Sequence, residues 1–259
     1  MKNAAKFVAF AAAAVTGAAL VGVGFASWVI GGQTVASAGG NIQVDTVVDG
    51  INLEVSVAED SAVVYGGPQQ PKAAEYSWLE NDSTAEQLKV NLTISYTGIV
   101  DNITIDLAVL RDSVDITSSY NSCITQGIIS DYSVKFMANG DFNSSYVDDS
   151  EQPLTAEYVS AGKCTITNLP ESETTVTLYV QLEFGWGTLF GCTNPVDFFN
   201  DFAPDDMLKQ NGGILEKTQE LGNKTAREWA DELLTELGNS LTNYNNGVST
   251  TFHLTLTAE

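Results

Sequence analysis

The stretch TTVTLYVQLEF, residues 174–184, decides the fold because its apolar and polar side chains alternate without a break. Val176, Leu178 and Val180 share one side of an extended chain, and threonine, tyrosine and glutamine side chains share the other. A period of two is typical of a β-strand with one face against a core and one face in water. The stretch therefore predicts a long strand in a sheet with a solvated face.

The same alternation recurs in both directions along the chain. It is found in NIQVDTV (41–47), INLEVSV (51–57), SAVVYGG (61–67), LKVNLTISYTG (88–98), NITIDLAVLRD (102–112), SVKFMANGDF (133–142), EYVSAGKCTITNLP (157–170) and VSTTFHLTLTAE (248–259). The polar residues 66–86 between two of these runs predict a long loop. This many strands joined by turns predict a mainly β protein, a jelly-roll-like two-sheet sandwich. We expect one sandwich domain over residues 28–259.

A helical pattern interrupts the strands near the C-terminus. In TAREWADELLTELGNSL, residues 225–241, the apolar side chains recur at the three- and four-residue spacing of one helix face. Thr225 and Glu228 have the spacing of a capping box, and Gly238 is a predicted stop. The preceding DDMLKQNGGILEKTQEL predicts a further helical turn or two, which gives a helical insertion at about 204–238. We expect this amphipathic helix to cover an edge or one end of the sandwich.

The composition restricts the classes of partner. The chain of 259 residues has 11 Lys and Arg against 33 Asp and Glu, a formal net charge of −22. Its 44% hydrophobic residues are enough for a core, so a wholly disordered chain is excluded. Such an acidic surface repels phosphate, so we expect no nucleic-acid partner and no binding of the folded part to anionic lipid.

The N-terminus has the pattern of a targeting segment. Lys2 and Lys6 precede FVAFAAAAVTGAALVGVGFASWVIGG, residues 7–32, which contains no charge. The small residues before Trp28 predict signal-peptidase cleavage between Ser27 and Trp28. Residues 1–27 are thus predicted to be a signal peptide, with an uncleaved membrane anchor as the alternative, since the run is long enough to span. Either reading places the protein outside the cytoplasmic membrane, secreted or at the cell surface, with membrane contact only through this segment.

Export opens the question of disulfides. Cys123 and Cys164 lie beside the β-like runs SCITQGII (122–129) and KCTITNL (163–169), which suggests a bond between two strands. Buried thiols are the alternative. The third cysteine leaves an odd number, and no C-x-x-C spacing points to a redox or zinc site.

Two segments suggest a family. The run GVGFASWVIGG (22–32) followed by ASAGGNIQVD (36–45) resembles the signal and first strand of the TasA/camelysin group of exported bacterial matrix proteins. In that group a dedicated, SipW-type signal peptidase removes a Gly-rich signal. LEFGWGTLFGCTNP, residues 182–195, is similar to a segment of bacterial proteins with such signals.

The resemblance implies a jelly-roll domain that assembles into fibres by strand donation, in which the first strand of one subunit completes the sheet of the next. The donor strand would then lie within residues 28–48, with Ile42 and Val44 as its apolar anchors. An exposed sheet edge is a physical template for such pairing. The alternative is that this segment pairs within its own domain.

No enzyme is predicted. A zinc protease of the H-E-x-x-H type needs two histidines on one helix, and the chain has only His253. His253 falls on the polar side of TFHLTLT, which predicts a solvated side chain. No nucleophile elbow or phosphate-binding glycine loop occurs, and no pair of carboxylates stands out. We therefore expect no catalytic residues and no cofactor.

Two other segments could bind a ligand or a subunit. NGDFNSSYVDDSE, residues 139–151, clusters oxygen ligands suited to Ca²⁺ but fails the EF-hand pattern, so it predicts a solvated acidic loop and no metal site. FGWGTLFGCTNPVDFFNDF, residues 184–202, is too apolar to lie loose in water. Trp186, Phe190 and Phe198 are predicted either to pack over one end of the sandwich or to form a subunit interface or sugar platform.

Two functional hypotheses follow. In the first, the chain is an exported structural protein, the subunit of a cell-surface or extracellular-matrix fibre in a biofilm, which associates with itself or with other surface proteins. In the second, it is a monomeric surface module that binds carbohydrate or cations.

Overall fold

A computed structural model describes twelve ranges of the chain. They are residues 28–29, 33–37, 40–48, 52–65, 86–111, 113–138, 141–143, 146–147, 153–211, 214–217, 224–241 and 250–259. The predicted signal peptide, all of the predicted loop at 66–86 except Glu86, and most of the acidic loop at 139–151 lie outside them.

The described residues form strands and short helices in chain order. The strands are β1 Trp28–Val29, β2 Gln33–Ser37, β3 Gly40–Val48, β4 Asn52–Val57, β5 Ala62–Val64, β6 Gln87–Gly98, β7 Asn102–Arg111, β8 Val114–Asp115, β9 Ile129–Ala138, β10 Asp141–Asn143, β11 Tyr146–Val147, β12 Pro153–Ser160, β13 Lys163–Thr167, β14 Ser172–Trp186, β15 Met207–Asn211, β16 Ile214–Lys217, β17 Lys224–Thr225 and β18 Thr250–Ala258. The helices are α1 Thr117–Thr125, a 3₁₀ turn Thr188–Phe190, α2 Pro195–Asn200 and α3 Ala226–Leu241.

Two large sheets contain most of these strands. The first sheet has the order β1-β3-β18-β7-β13-β12-β11, with β2 also on β3 and β8 also on β7. The second has the order β10-β9-β14-β6-β4, with β5 also on β6. The chain passes repeatedly from one sheet to the other, as it does from β3 to β4 and from β6 to β7. This is the crossing pattern of a jelly-roll-like sandwich, so the predicted fold class is confirmed.

One hydrophobic core lies between the sheets. Ile105 and Leu254 from the first sheet and Ile94 and Val180 from the second are fully buried members of the same cluster. Burial alternates residue by residue along β6, β7 and β18, as the sequence pattern predicts. At roughly 25 cal/mol per Å² of buried apolar surface, these rows are the main source of the fold's stability.

The predicted amphipathic helix is present as α3. Thr225 Oγ1 accepts a hydrogen bond from the Glu228 backbone N–H at 3.3 Å, and Glu228 Oε2 accepts one from the Thr225 backbone N–H at 2.8 Å. This reciprocal pair is a capping box. Ala226, Ala230 and Leu233 are buried in the core cluster. The helix continues through Gly238 to Leu241, so Gly238 does not end it.

The rest of the predicted helical insertion is wrong. The strands β15, β16 and β17 form a small sheet of the order β16-β15-β17. Asn211 is paired with Ile214, so the two residues between the strands are the Gly-Gly of positions 212 and 213, a hairpin signal that sequence analysis passed over. Leu208 on β15 is followed by Lys209, Leu215 on β16 is followed by Glu216, and both leucines are buried. Each of these strands contributes one leucine to the core cluster, and the two glycines between them favour a hairpin over a continuous helix.

A second helix was not predicted. Cys123 belongs to α1, not to a strand, and Cys123 and Tyr120 are the buried residues of this helix. Asp115 Oδ1 accepts a hydrogen bond from the Thr117 backbone N–H at 2.8 Å at its start. The helix could not be recognised from its sequence because its apolar face is short. Its two buried side chains lie one turn apart, and the residues that begin the helix are polar.

Gly187 marks the closest backbone approach beside the aromatic segment. A Cβ atom at Gly187 would lie 2.0 Å from the carbonyl oxygen of Gly127. The Gly187 backbone N–H donates to the Ile128 carbonyl at 3.0 Å, and the Leu189 backbone N–H donates to the Gly127 carbonyl at 2.9 Å. The end of β14 is thereby held against the turn that follows α1.

We expect Gly187→Ala to reduce the free energy of unfolding by more than about 3 kcal/mol, because backbone must move to admit the methyl group. Gly185→Ala is the matched control on the other side of Trp186. Its Cβ would meet only the Ser130 side-chain oxygen, at 3.1 Å, so we expect a change within about 1 kcal/mol. Urea unfolding of both variants checks this. Equal effects would contradict the close approach.

Candidate assembly site

The first and last described long strands lie side by side. β3 pairs with β18 in parallel, from Asn41 opposite Thr251 to Val48 opposite Ala258. β18 also pairs antiparallel with β7, so it is an interior strand of the first sheet. The N-terminal strand is therefore held along its whole length by the C-terminal one. We call the paired strands β3 and β18 the closure.

The other edge of β3 is also covered. β2 pairs antiparallel with β3, from Gln33 opposite Val44 to Ser37 opposite Gly40, and β1 pairs with the end of β3. The strands β1 and β2 thus lie at the border of the first sheet. Main-chain pairing on one side only makes such an edge segment the easiest part of a sheet to exchange.

Ile42 and Val44, the predicted anchors of a donor strand, are core residues of their own chain. Both belong to the shared core cluster, with exposures of 0% and 1%. The structure thus has the internal pairing that was the alternative to donation between chains. Both residues are buried because their strand alternates in phase with β18, whose Phe252, Leu254 and Leu256 form the same inner row.

A side-chain contact joins the outer faces of these two strands. His253 Nε2 donates to Asp45 Oδ2 at 2.7 Å, and both side chains are about a quarter exposed. In the register His253 stands opposite Gln43, so the contact runs diagonally to the residue two positions on. His253 is therefore a half-buried partner of Asp45 and not the solvated side chain predicted from its polar face.

The predicted cleavage site falls at the border of the described chain. Ser27 lies outside the described residues, and Trp28 begins β1, where its backbone is opposite Val48. Cleavage before Trp28 would leave β1 intact. Among the helices of the described ranges, none is long and apolar enough to cross a membrane.

The aromatic segment packs inside the chain. Trp186 and Phe190 are only 5% and 1% exposed, and Phe198 is half-buried against the core. The Trp186 ring stands edge-on to Tyr65 at 5.0 Å and to Phe190 at 6.3 Å, and Phe190 stands edge-on to Phe198 at 5.7 Å. Their rings therefore stabilise one another within the chain, as the packing interpretation predicts, and Trp186 and Phe190 expose almost no ring surface to a subunit or a sugar.

Glu86 joins this aromatic segment to the second sheet, and sequence analysis did not single it out. Its Oε2 accepts hydrogen bonds from Trp186 Nε1 at 2.8 Å and from Asn194 Nδ2 at 2.9 Å. The Asn194 side-chain oxygen in turn accepts from the Val196 backbone N–H at 2.9 Å and caps α2. One carboxylate thus satisfies two buried donors. The position of Glu86 in the sequence, just before β6, did not indicate this role, because its two hydrogen-bond partners follow about a hundred residues later.

A second polar cluster joins the two sheets. Tyr132 on β9 donates to the carbonyl of Ile105 on β7 at 3.2 Å or to that of Gly162, in the turn between β12 and β13, at 3.3 Å. Asp131 Oδ2 accepts from the Gly162 backbone N–H at 3.0 Å. Burial raises the pKa of the Asp131 carboxyl, although its backbone hydrogen bonds oppose the shift. Tyr158 Oη accepts a hydrogen bond from the backbone N–H of Val134 at 2.9 Å. A main-chain donor at the border of β9 is thereby paired with a side chain.

The predicted bond between Cys123 and Cys164 is not formed. All three cysteines lie in described ranges and carry thiols, with Cys123 and Cys164 buried and Cys192 exposed. Cys123 is on α1 and Cys164 on β13, so the assumption of two facing strands does not hold. Burial raises the pKa of the Cys164 thiol to about 11, which makes it a poor nucleophile.

The acidic loop is only partly described. Asp141 and Asn143 are exposed on β10, and the other acidic residues of the segment lie outside the described ranges. Within those ranges no group of three or more His, Cys, Asp or Glu side chains converges as a metal site requires.

No family model, curated protein or solved structure matches the chain. The resemblance to the TasA/camelysin group therefore stays a prediction, and the roles assigned to these residues rest on the geometry described above.

The thiols give a direct check of the core. At pH 8 we expect an aromatic disulfide reagent to modify one thiol of the native, air-exposed protein quickly, because only Cys192 is exposed. Unfolding in guanidinium should raise the count to three.

The variant Cys192→Ser is the matched control, with no fast thiol in the native protein and two after unfolding. A total of one thiol in the unfolded wild-type protein would instead mean that Cys123 and Cys164 are bonded to each other.

Proposed function

We propose that the chain is an exported structural protein, the subunit of a cell-surface or extracellular-matrix fibre that assembles by exchange of its N-terminal strand between copies. The closure supports this proposal most directly. A strand at the start of the described chain completes a sheet next to the last strand, and an identical strand from a second copy would make the same contacts.

The contacts at stake are large enough to bind a partner chain. β3 offers main-chain pairing to β18 on one side and buries Ile42 and Val44 in the core on its inner face. Fully burying each such aliphatic side chain is worth roughly 1.5–3 kcal/mol. A chain that loses its own β3 would therefore expose a groove beside β18 that only a similar strand fills well.

The connection after β3 favours exchange. β3 ends at Val48 in the first sheet and β4 begins at Asn52 in the second, so only three residues of sequence separate the two strands. Short connections of this kind favour domain swapping, since an opened hinge removes the constraint of a tight crossing. Because each copy both gives and receives a strand, a heterologous contact of this kind builds an open filament.

The net charge of the chain favours association by strand exchange over association by side-by-side contact between surfaces. A net charge of −22 makes like surfaces repel, so two copies gain little from side-by-side contact. Main-chain hydrogen bonds and apolar burial act at short range and offset this repulsion where a strand is inserted. The alternative of a carbohydrate-binding module is less well supported, because Trp186 and Phe190 are buried and offer no exposed platform.

Hinge length tests the proposal. Residues 28–259 are purified, concentrated and followed by light scattering and electron microscopy. We expect filaments from this chain, and mostly monomer when Gly-Ser-Gly-Ser is inserted after Gly50, because a longer hinge lets β3 reach its own β18 without constraint.

The same insertion after Glu59, in the exposed turn between β4 and β5, is the control and should leave filament formation unchanged. A wild-type chain that stays monomeric at every concentration would contradict the proposal. So would filaments that form equally well with the longer hinge.

A further inference from the structure

The main-chain pairing of the closure does not by itself choose a register. Parallel strands have evenly spaced hydrogen bonds, so a shift of two residues restores the same ladder. The inner row of β3 is Ile42, Val44 and Thr46, all buried. One shift by two would put Thr46 where Val44 lies and Val48 where Thr46 lies, so the inward positions would all keep side chains. The opposite shift would put Gly40 where Ile42 lies and leave a cavity, so core packing excludes only one direction of slip.

The outer faces of the two strands do contain a register-specific contact. His253 binds Asp45 at 2.7 Å, diagonally across the pair. After a shift of two residues, either Gln43 or Val47 would occupy the position of Asp45. The other outward side chains of β18 are Thr251, Thr255 and Thr257, whose like chemistry distinguishes no register.

The neighbouring acid on the other side of β18 is already engaged. β7 places Ala108 opposite His253, and Asp106, two residues away, forms an ion pair with Lys163 at 3.5 Å. The chain has no second histidine. His253 is thus directed toward β3 by the arrangement of charges on both sides.

We infer that the hydrogen bond between His253 and Asp45 sets the register of β3 beside β18, and we call this bond the register key. It forms only when Asp45 lies two residues beyond the β3 residue that stands opposite His253. The key acts first within one chain. For a strand donated by a second copy the same geometry would select the register in trans, and this part rests on the proposed function.

The key predicts a specific pattern of coupling. A hydrogen bond to a carboxylate is among the stronger polar contacts in a protein, so Asp45→Ala or His253→Ala should each raise the unfolding equilibrium constant about tenfold. Since each variant removes the same bond, the double variant should be little worse than either single one.

Register itself is the decisive readout. In isotope-labelled monomer, nuclear Overhauser contacts between backbone protons identify which β3 residue faces which β18 residue. We expect one set for the wild-type chain and a second set, shifted by two residues, for either alanine variant. The reversed pair Asp45→His with His253→Asp should restore a single set. Thr255→Ala, two residues along the same face, is the control and should keep one register.

A single native register in both alanine variants would overturn the inference, as would additive losses in the double variant. If the alanine variants fail to fold, Asp45→Asn and His253→Gln replace them, with the same two readouts. Filament formation is scored separately by electron microscopy. A wild-type chain that keeps one keyed register but never forms filaments refutes the proposed function and leaves the key standing.

Discussion

The parallel pairing of β3 with β18 is the constraint on which the first sheet depends. It joins the two ends of the described chain and places β18 between an N-terminal strand and β7. Parallel neighbours close in space but distant in sequence carry a high loop-closure cost, so this pair is expected to form late in folding. This long distance in sequence also makes β3 the strand that separates from the others most readily, because other pairs, such as β6 with β14, join strands that are closer together in the sequence.

Most of the fold could be predicted because alternation is a local signal. β6, β7, β14 and β18 lie where residues 88–98, 102–112, 174–184 and 248–259 alternate, and the capping box of α3 is visible as Thr225 and Glu228. The pairing of the strands with one another could not be predicted, since no local pattern indicates that β18 runs parallel to β3. The helix α1 and the hairpin of β15 and β16 were missed because their apolar faces are short and are interrupted by polar or glycine residues.

The candidate site was less predictable than the fold. Ile42 and Val44 were found by their alternation, but alternation is the same for a strand that pairs in its own chain and for one that pairs with a neighbour. The Asp45–His253 contact joins residues over two hundred positions apart, so it follows only from the register. The segment around Trp186 looked like an interface because its apolar content is visible, whereas the close approach of Gly187 to Gly127 that buries it is not.

An isotope-mixing experiment tests the closure and its exchange most directly. Asn41 and Thr251, which stand opposite each other, are replaced by cysteine in a Cys192→Ser background, and heavy and light chains are mixed before assembly and oxidation. The account predicts that the linked peptides have uniform isotope content in the monomer and mixed content in filaments. Linked peptides of uniform content in the filaments would contradict strand exchange, and the absence of this link in the monomer would contradict the closure itself.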